Sequence, residues 1–142
     1  MKTTARNQFA GTVSAVEIGP VSASVSITLD GGVEIVATLT SAAATRLRLA
    51  KGRQALALVK ASAVVLVTDF DGWQLSARNQ LAGSVARVER GAVSSLVALT
   101  LPGGQAITAS VTNEGADALG LKPGMAATAV FKAYSVIVAA RP

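Results

Sequence analysis

The chain contains no cysteine and no histidine. The absence of cysteine excludes disulfides, thiol nucleophiles and zinc sites of the Cys/His kind, and the absence of histidine excludes histidine-based acid–base relays. No uninterrupted run of about eighteen apolar residues is present, so we expect no transmembrane helix and no membrane partner. The N-terminal stretch MKTTARNQF lacks the apolar segment of a secretory signal. The chain is therefore predicted to be cytoplasmic and poorly equipped for catalysis.

Aromatic and acidic residues are also scarce. Aromatic residues make up 4% of the chain and charged residues 15%, whereas 51% of the residues are hydrophobic, which favours a folded protein. Thirteen basic residues against eight acidic ones give a net charge of +5, which suits an anionic partner. Proteins that bind single-stranded nucleic acid usually stack bases on aromatic side chains, and the basic residues here are scattered. Small anions are therefore favoured over nucleic acid.

An internal repeat organises the sequence. The segment TARNQFAGTVSAVE, which starts at Thr4, returns 72 residues later as SARNQLAGSVARVE, which starts at Ser76. The same offset aligns ITLDGGVEIVATLT with LTLPGGQAITASVT, and LVKASAVVLV with VFKAYSVIVA. We therefore predict two copies of one module, over residues 2–68 and 74–140, joined by the turn-forming link Thr68–Trp73.

Each copy is predicted to be mostly strand. Apolar residues alternate with Ser and Thr, and Gly-Gly pairs mark a hairpin turn in each copy. Ala-rich segments opened by Ser41 or Asn113, which are candidate N-caps, predict one short helix per copy. The predicted strands of the first copy are Arg6–Ile18 with a bend at Gly11, Val21–Leu29, Val33–Thr40, Gln54–Lys60 and Ala63–Val67. This order predicts an all-β protein with short helices, built as two tandem OB-fold-like five-stranded barrels. Such small modules are marginally stable alone, so an oligomer is expected.

The densest polar identity between the copies is Arg-Asn-Gln, which starts at Arg6 and again at Arg78. A lysine near the end of an apolar strand, Lys60 or Lys132, is the second shared feature. These residues are either solvated strand ends, with the lysines extending to water, or a cationic pocket for an oxyanion. Ser22 and Ser94 are candidates for a second site of neutral donors.

The acidic residues form no enzymatic constellation. Three of them lie in each copy, they are spread along the sequence, and the pair Glu17 and Glu89 is the recurrent one. A serine has no histidine to activate it, and GGVEI lacks the lysine of a phosphate-binding loop. The chain is therefore not predicted to be an enzyme.

The repeated motifs resemble the Mop domain. They are the S/T-A-R-N-Q start, the Gly-x-Val-Ser segment, the Gly-Gly hairpin, the Leu-x-Leu-x-x-Gly turn and the Val/Phe-Lys-Ala strand. The Mop domain is an OB-fold module that binds molybdate and tungstate. Two copies with nothing else attached resemble the di-Mop cytoplasmic molybdate-binding proteins of the ModG type.

The resemblance implies oxyanions held where modules and subunits meet, in a homo-oligomer that is expected to be a trimer. The implied molybdate-binding residues are Thr4, Arg6, Asn7, Lys60, Ala61 and Ser62 in the first copy, and Ser76, Arg78, Asn79, Lys132 and Ala133 in the second. Tyr134 replaces the small residue Ser62, so the two sites differ there. A second, weaker type of oxyanion site would use Gly19, Val21 and Ser22, with Gly91, Val93 and Ser94.

The function implied by the resemblance is intracellular molybdenum storage and homeostasis, with molybdate or tungstate as the bound ligand. Two other functions explain part of the sequence. A nucleic-acid-binding OB-fold protein would explain the fold and the positive charge. A purely structural assembly module would explain the repeat and the apolar content, but not the shared arginine and lysine.

Overall fold

A computed structural model describes residues 1–141, and in it the two copies repeat the same order of elements. Alternating apolar residues face the core, as Val25 and Ile27 do in the second strand. The elements of the first copy are β1 (Asn7–Ile18), β2 (Ser22–Thr28), β3 (Glu34–Thr40), α1 (Ser41–Arg46), β4 (Gln54–Val59) and β5 (Val65–Val67). Those of the second copy are β6 (Asn79–Arg90), β7 (Ser94–Thr100), β8 (Ala106–Thr112), α2 (Asn113–Leu119), β9 (Ala126–Phe131) and β10 (Val136–Ala139). The predicted fold class is confirmed.

The last strand of each copy belongs to the sheet of the other copy. The two five-stranded antiparallel sheets have the orders β10-β4-β1-β2-β3 and β5-β9-β6-β7-β8. Val136 pairs with Val59 of the first copy, and Val65 pairs with Val130 of the second. This reciprocal exchange was not predicted. Because of it, neither five-stranded sheet is built from one copy alone.

The first strand is irregular after Val13 and not at Gly11, where the sequence predicted a bend. The register between β1 and β2 shifts between Val13 and Ala15, which marks a bulge. Gly11 serves a different purpose, because a Cβ atom added there would lie 2.6 Å from the backbone oxygen of Thr28. The glycine permits close approach of the neighbouring strand.

The short helices are capped one residue earlier than predicted. The hydroxyl of Thr40 accepts a hydrogen bond from the Ala43 amide, and Thr112 caps the second helix through Gly115. Ser41, one of the predicted caps, instead donates its hydroxyl to the Gly19 carbonyl. The residues predicted as caps therefore hold the turn that precedes β2 or β7.

The two copies are fused through a common core and through their hairpin turns. The buried apolar residues of both copies form one continuous cluster, which includes Phe9 and Phe131. The turns meet at Gly31 and Gly103, where a Cβ on Gly103 would lie 2.0 Å from the Asp30 oxygen. Gly31 also has a φ of 82°, a conformation that favours glycine.

Candidate functional site

The strand register places the shared arginine and lysine of each copy opposite one another. Asn7 pairs with Val59 between β1 and β4, and Asn79 pairs with Phe131 between β6 and β9. One position further out, the same register sets Arg6 against Lys60 and Arg78 against Lys132. All four side chains are exposed, whereas the paired residues beside them are buried. Each copy therefore presents two cations at the same end of one strand pair.

No carboxylate neutralises these four cations within residues 1–141. The ion pairs of the described chain join Arg87 to Glu89 and Arg90 to Asp117. The hydrogen bond from Arg90 holds the pKa of Asp117 below its ordinary value, and the same bond raises the pKa of Arg90. Both groups are exposed and lie on β6 and α2, so this pair is a surface link outside the candidate site.

Arg78 reaches from the second copy to the first. Its Nη1 donates a hydrogen bond of 3.0 Å to the hydroxyl of Ser24 on β2. Thr38 on β3 pairs directly with Ser24, so two half-buried hydroxyl residues lie side by side on this face. The 3-10 turn Ala133–Ser135, which follows Lys132, packs against β3 as well. Arg78, the hydroxyl of Ser24 and the turn that follows Lys132 therefore meet at one boundary between the copies.

The asparagines of the shared motif hold the two copies together. Asn79 is 1% exposed, and its side-chain amide donates to the Val36 carbonyl and accepts from the Val36 amide, both at 2.8 Å. Asn7, 2% exposed, makes the same pair of bonds with Thr108. Each asparagine thereby pairs with the open edge of β3 or β8 in the other copy. Asn7 and Asn79 thus join the two copies directly beside the arginines, and the ligand role predicted for them from the resemblance stays a prediction.

The other residues predicted for the main site border the same strand ends. Thr4 and Ser76 precede the two arginines and are exposed. Ala61 and Ala133 open the 3-10 turns after the two lysines and are buried. Ser62 and Tyr134 follow them and are exposed.

The segments predicted for the second type of site form tight turns at the start of β2 and of β7. The Gly19 amide donates to the Ser22 carbonyl and the Gly91 amide to the Ser94 carbonyl, each at 2.9 Å. Both turns project an apolar side chain, because Val21 is 80% exposed and Val93 is 77% exposed. The hydroxyls of Ser22 and Ser94 are exposed beside these valines.

Ser24 and Thr38 were missed from the sequence. The prediction relied on polar residues that both copies share, and position 24 aligns with Leu96 in the second copy. The alternation of serines along β2 was a signal, but it is also typical of any strand with one solvent face. The contact with Arg78 depends on how the copies pack, which the alternation does not reveal.

Three other features were sought among residues 1–141: a metal site, a base-stacking surface and a membrane-spanning helix. Among residues 1–141 there is no group of three or more acidic side chains that could hold a metal ion. Phe9 and Phe131 are buried in the core, so they cannot stack on nucleic-acid bases, whereas Trp73 and Tyr134 are exposed. No helix within the described range is long and apolar enough to span a bilayer. The paired cations and hydroxyls are chemically suited to a small oxyanion, since all of them can donate hydrogen bonds.

Comparison with known families agrees with this architecture. The model of the TOBE domain matches residues 3–66 and 75–138. The chain belongs to the TOBE domain family. The resemblance to tandem molybdate-binding modules is confirmed by a solved structure, the cytoplasmic molybdate-binding protein ModG with molybdate bound. ModG is 50% identical to this chain, with a TM-score of 0.96 over 99% of this chain and 100% of its own.

Curated relatives carry names connected with molybdenum. The "Molybdenum transport protein ModE" of Herbaspirillum seropedicae is 65% identical over 139 residues, which are 98% of this chain and 52% of that protein. The "Molybdenum-pterin-binding protein MopA" of Rhodobacter capsulatus is 43% identical over 139 residues, with the same coverage. The chain thus spans about half the length of these curated relatives.

Proposed function

We propose that this protein binds molybdate, and tungstate as a similar dianion, at sites between its two copies and between the subunits of a homo-oligomer. The observation that carries the proposal is the hydrogen bond between Arg78 and Ser24 across the boundary of the copies, beside the strand end that carries Lys132. Within residues 1–141 neither cation has a carboxylate partner. A tetrahedral dianion fits these donors. Arginine offers a rigid fork, lysine a point charge and serine a short hydrogen bond.

The protonation state of the anion and the names of the relatives both favour molybdate over hydrogen phosphate as the ligand. Molybdate is fully deprotonated at neutral pH, so every oxygen can accept a hydrogen bond. Hydrogen phosphate carries a proton that needs an acceptor, and the arginines and lysines among the proposed ligands can only donate. That mismatch costs about 1–3 kcal/mol. The ModG structure with molybdate bound and the molybdenum-related names of the relatives support the same ligand.

Asn7 and Asn79 are proposed ligands of the main sites that also join the two copies. The other proposed ligands are the residues at the strand ends. They are Thr4, Arg6, Lys60, Ala61 and Ser62 in the first copy, and Ser76, Arg78, Lys132 and Ala133 in the second. Weaker sites are proposed at Gly19, Val21 and Ser22, and at Gly91, Val93 and Ser94. In all of these the neutral residues contribute hydroxyl or backbone amide donors.

Assembly into a homo-oligomer, with a trimer favoured by the family resemblance, is part of the proposal. Exposed apolar side chains recur at equivalent positions of the two copies, as Val21 and Val93 on the turns and as Val65 and Ile137 on the exchanged strands. Such repeated pairs suit an interface between subunits, and the exposed cations would be desolvated there. A protein that binds and releases molybdate without chemistry would store it and buffer its concentration in the cytoplasm.

The test is calorimetry with sodium molybdate on the full chain and on Arg6→Ala and Arg78→Ala. Loss of one cation from a desolvated dianion site should cost about 1.5–3 kcal/mol, or roughly tenfold or more in affinity. Arg87→Ala is the matched control, because Arg87 is an exposed arginine paired with Glu89 outside the proposed site. Molybdate binding that is unchanged in the double variant would contradict the proposal. A salt-dependent shift with single-stranded oligonucleotide instead would favour a nucleic-acid-binding role.

A further inference from the structure

The two copies differ where the boundary contacts lie. The position of Ser24 in the first copy is occupied by Leu96 in the second, whereas Thr38 is replaced conservatively by Ser110. Leu96 pairs with Ser110 between β7 and β8, as Ser24 pairs with Thr38 between β2 and β3. One boundary therefore offers two hydroxyls and the other offers one.

The two arginines differ in their side-chain hydrogen bonds. Arg78 is held by its 3.0 Å hydrogen bond to Ser24, whereas Arg6 forms no side-chain hydrogen bond within residues 1–141. The pseudo-symmetry of the chain would set Arg6 beside Leu96, and a leucine side chain cannot accept a hydrogen bond. Arg6 must therefore lose more conformational freedom than Arg78 when a ligand orders it.

Ser24 can also contact a ligand itself. A serine hydroxyl has two acceptor lone pairs and one donor proton, so the bond accepted from Arg78 leaves the proton available. An anion bound beside Arg78 and Lys132 can receive that proton as an additional hydrogen bond. The same position in the second copy, Leu96, supplies no donor and adds apolar surface beside a charge.

We propose that the two main oxyanion sites are unequal, and that Ser24 makes the site at Arg78 and Lys132 bind a tetrahedral dianion more tightly than the site at Arg6 and Lys60. This inference rests on the proposed function. A hydrogen bond to a charged ligand is worth about tenfold or more in affinity, and the ordering of Arg78 acts in the same direction. At low concentrations of ligand, the site at Arg78 is then filled first.

The experiment exchanges the two residues in the full chain and titrates each variant with sodium molybdate by calorimetry. Apart from the weaker sites of the second type, the wild-type chain is expected to show two classes of main sites that differ at least tenfold in affinity. Ser24→Ala should weaken the tight class about tenfold, and Leu96→Ser should strengthen the weak class. Arg78→Ala in a separate variant should weaken the tight class about tenfold or more, and Arg6→Ala should do the same to the weak class.

A matched control separates ligand contact from general disturbance of β2. Thr28→Ala removes a half-buried hydroxyl from the same strand, four residue pairs along it from Ser24, and should leave both classes unchanged. Circular dichroism melting of each variant verifies that it folds. The inference would be overturned if the two main sites of the wild type bound molybdate with equal affinity. It would also be overturned if neither Ser24→Ala nor Leu96→Ser changed the two affinities. Either result would leave the proposed molybdate binding intact. Absence of molybdate binding in the wild type would overturn the proposed function and this inference together.

Discussion

Adjacent residues of one short motif have opposite environments. In the run Ala77-Arg78-Asn79, the arginine is exposed and reaches Ser24, whereas the asparagine is buried and pairs with the backbone of Val36. The repeat revealed that the motif matters, because it is retained while neighbouring positions differ. The contacts of Asn79 were not predictable from the sequence, because its side-chain amide pairs with the backbone at the edge of a sheet, and the sequence does not show which edge lies beside it. That edge belongs to the other copy.

Replacing Asn79 by alanine should destabilise the protein by about 1–3 kcal/mol. The change leaves the amide and carbonyl of Val36 without their partners in a part-buried position, and the cost of an unsatisfied backbone group is of this size. Urea unfolding followed by circular dichroism measures it. Gln80→Ala is the control, because Gln80 is exposed and bonds to the nearby carbonyls of Leu75 and Ala77. Equal losses in the two variants would show that Asn79 has no special role.

At the scale of elements, the sequence predicted the strands to within a few residues but not their partners. Val65–Val67 and Val136–Ala139 are equally apolar and stand in equivalent positions. Each could pair with β4 or with β9, because those strands are also near-copies of one another. Alternation of residues fixes which face of a strand is buried, but it does not state which of two equivalent edges the strand joins. The exchange of β5 and β10 therefore depends on how the two copies pack together and not on the sequence of either strand.

The exchange predicts that neither half folds well alone. A fragment of residues 1–73 contains β5 but lacks its partner β9, and its β4 lacks β10. We expect it to be unfolded at micromolar concentration or to form a dimer by exchanging β5 between copies, because modules of this size are marginal and exchange is a ready route to dimers. Circular dichroism and sedimentation velocity distinguish these states. An equimolar mixture with residues 74–142 should regain the native spectrum. A monomeric fragment with a cooperative melting transition would contradict this expectation.

The whole molecule combines a largely apolar interior with uncompensated positive charge at the boundary between its copies. The continuous core and the contact of the two hairpins join the copies into one folding unit, while Arg6, Lys60, Arg78 and Lys132 stay exposed without acidic partners. Like charges at a boundary oppose close packing. A dianion bound there offsets this repulsion, and the net charge of +5 means that few acidic residues are available to do so.

Ligand binding should therefore raise the stability of the assembled protein. A dianion that binds the folded assembly and not the unfolded chain contributes about 2.7 kcal/mol per site when its free concentration is a hundredfold above the dissociation constant. Thermal melting at equal ionic strength in molybdate, tungstate, sulfate and phosphate is the measurement. We expect the melting temperature to rise clearly in molybdate and tungstate and much less in the other two anions. Sedimentation velocity on the same samples checks that the stabilised species is an oligomer.

The melting temperatures in the four anions can be compared only at the same ionic strength. Any dianion stabilises a positively charged protein to some degree through screening, so a rise in one anion alone proves little. The specific contribution is the difference between anions, and it should shrink in the chain that carries both Arg6→Ala and Arg78→Ala. In that variant sulfate and molybdate should act almost equally, because the screening of the remaining charges is all that is left. Equal shifts in all four anions for the wild-type chain would mean that charge neutralisation alone operates. A difference that survives in the double variant would place the specific sites elsewhere in the molecule.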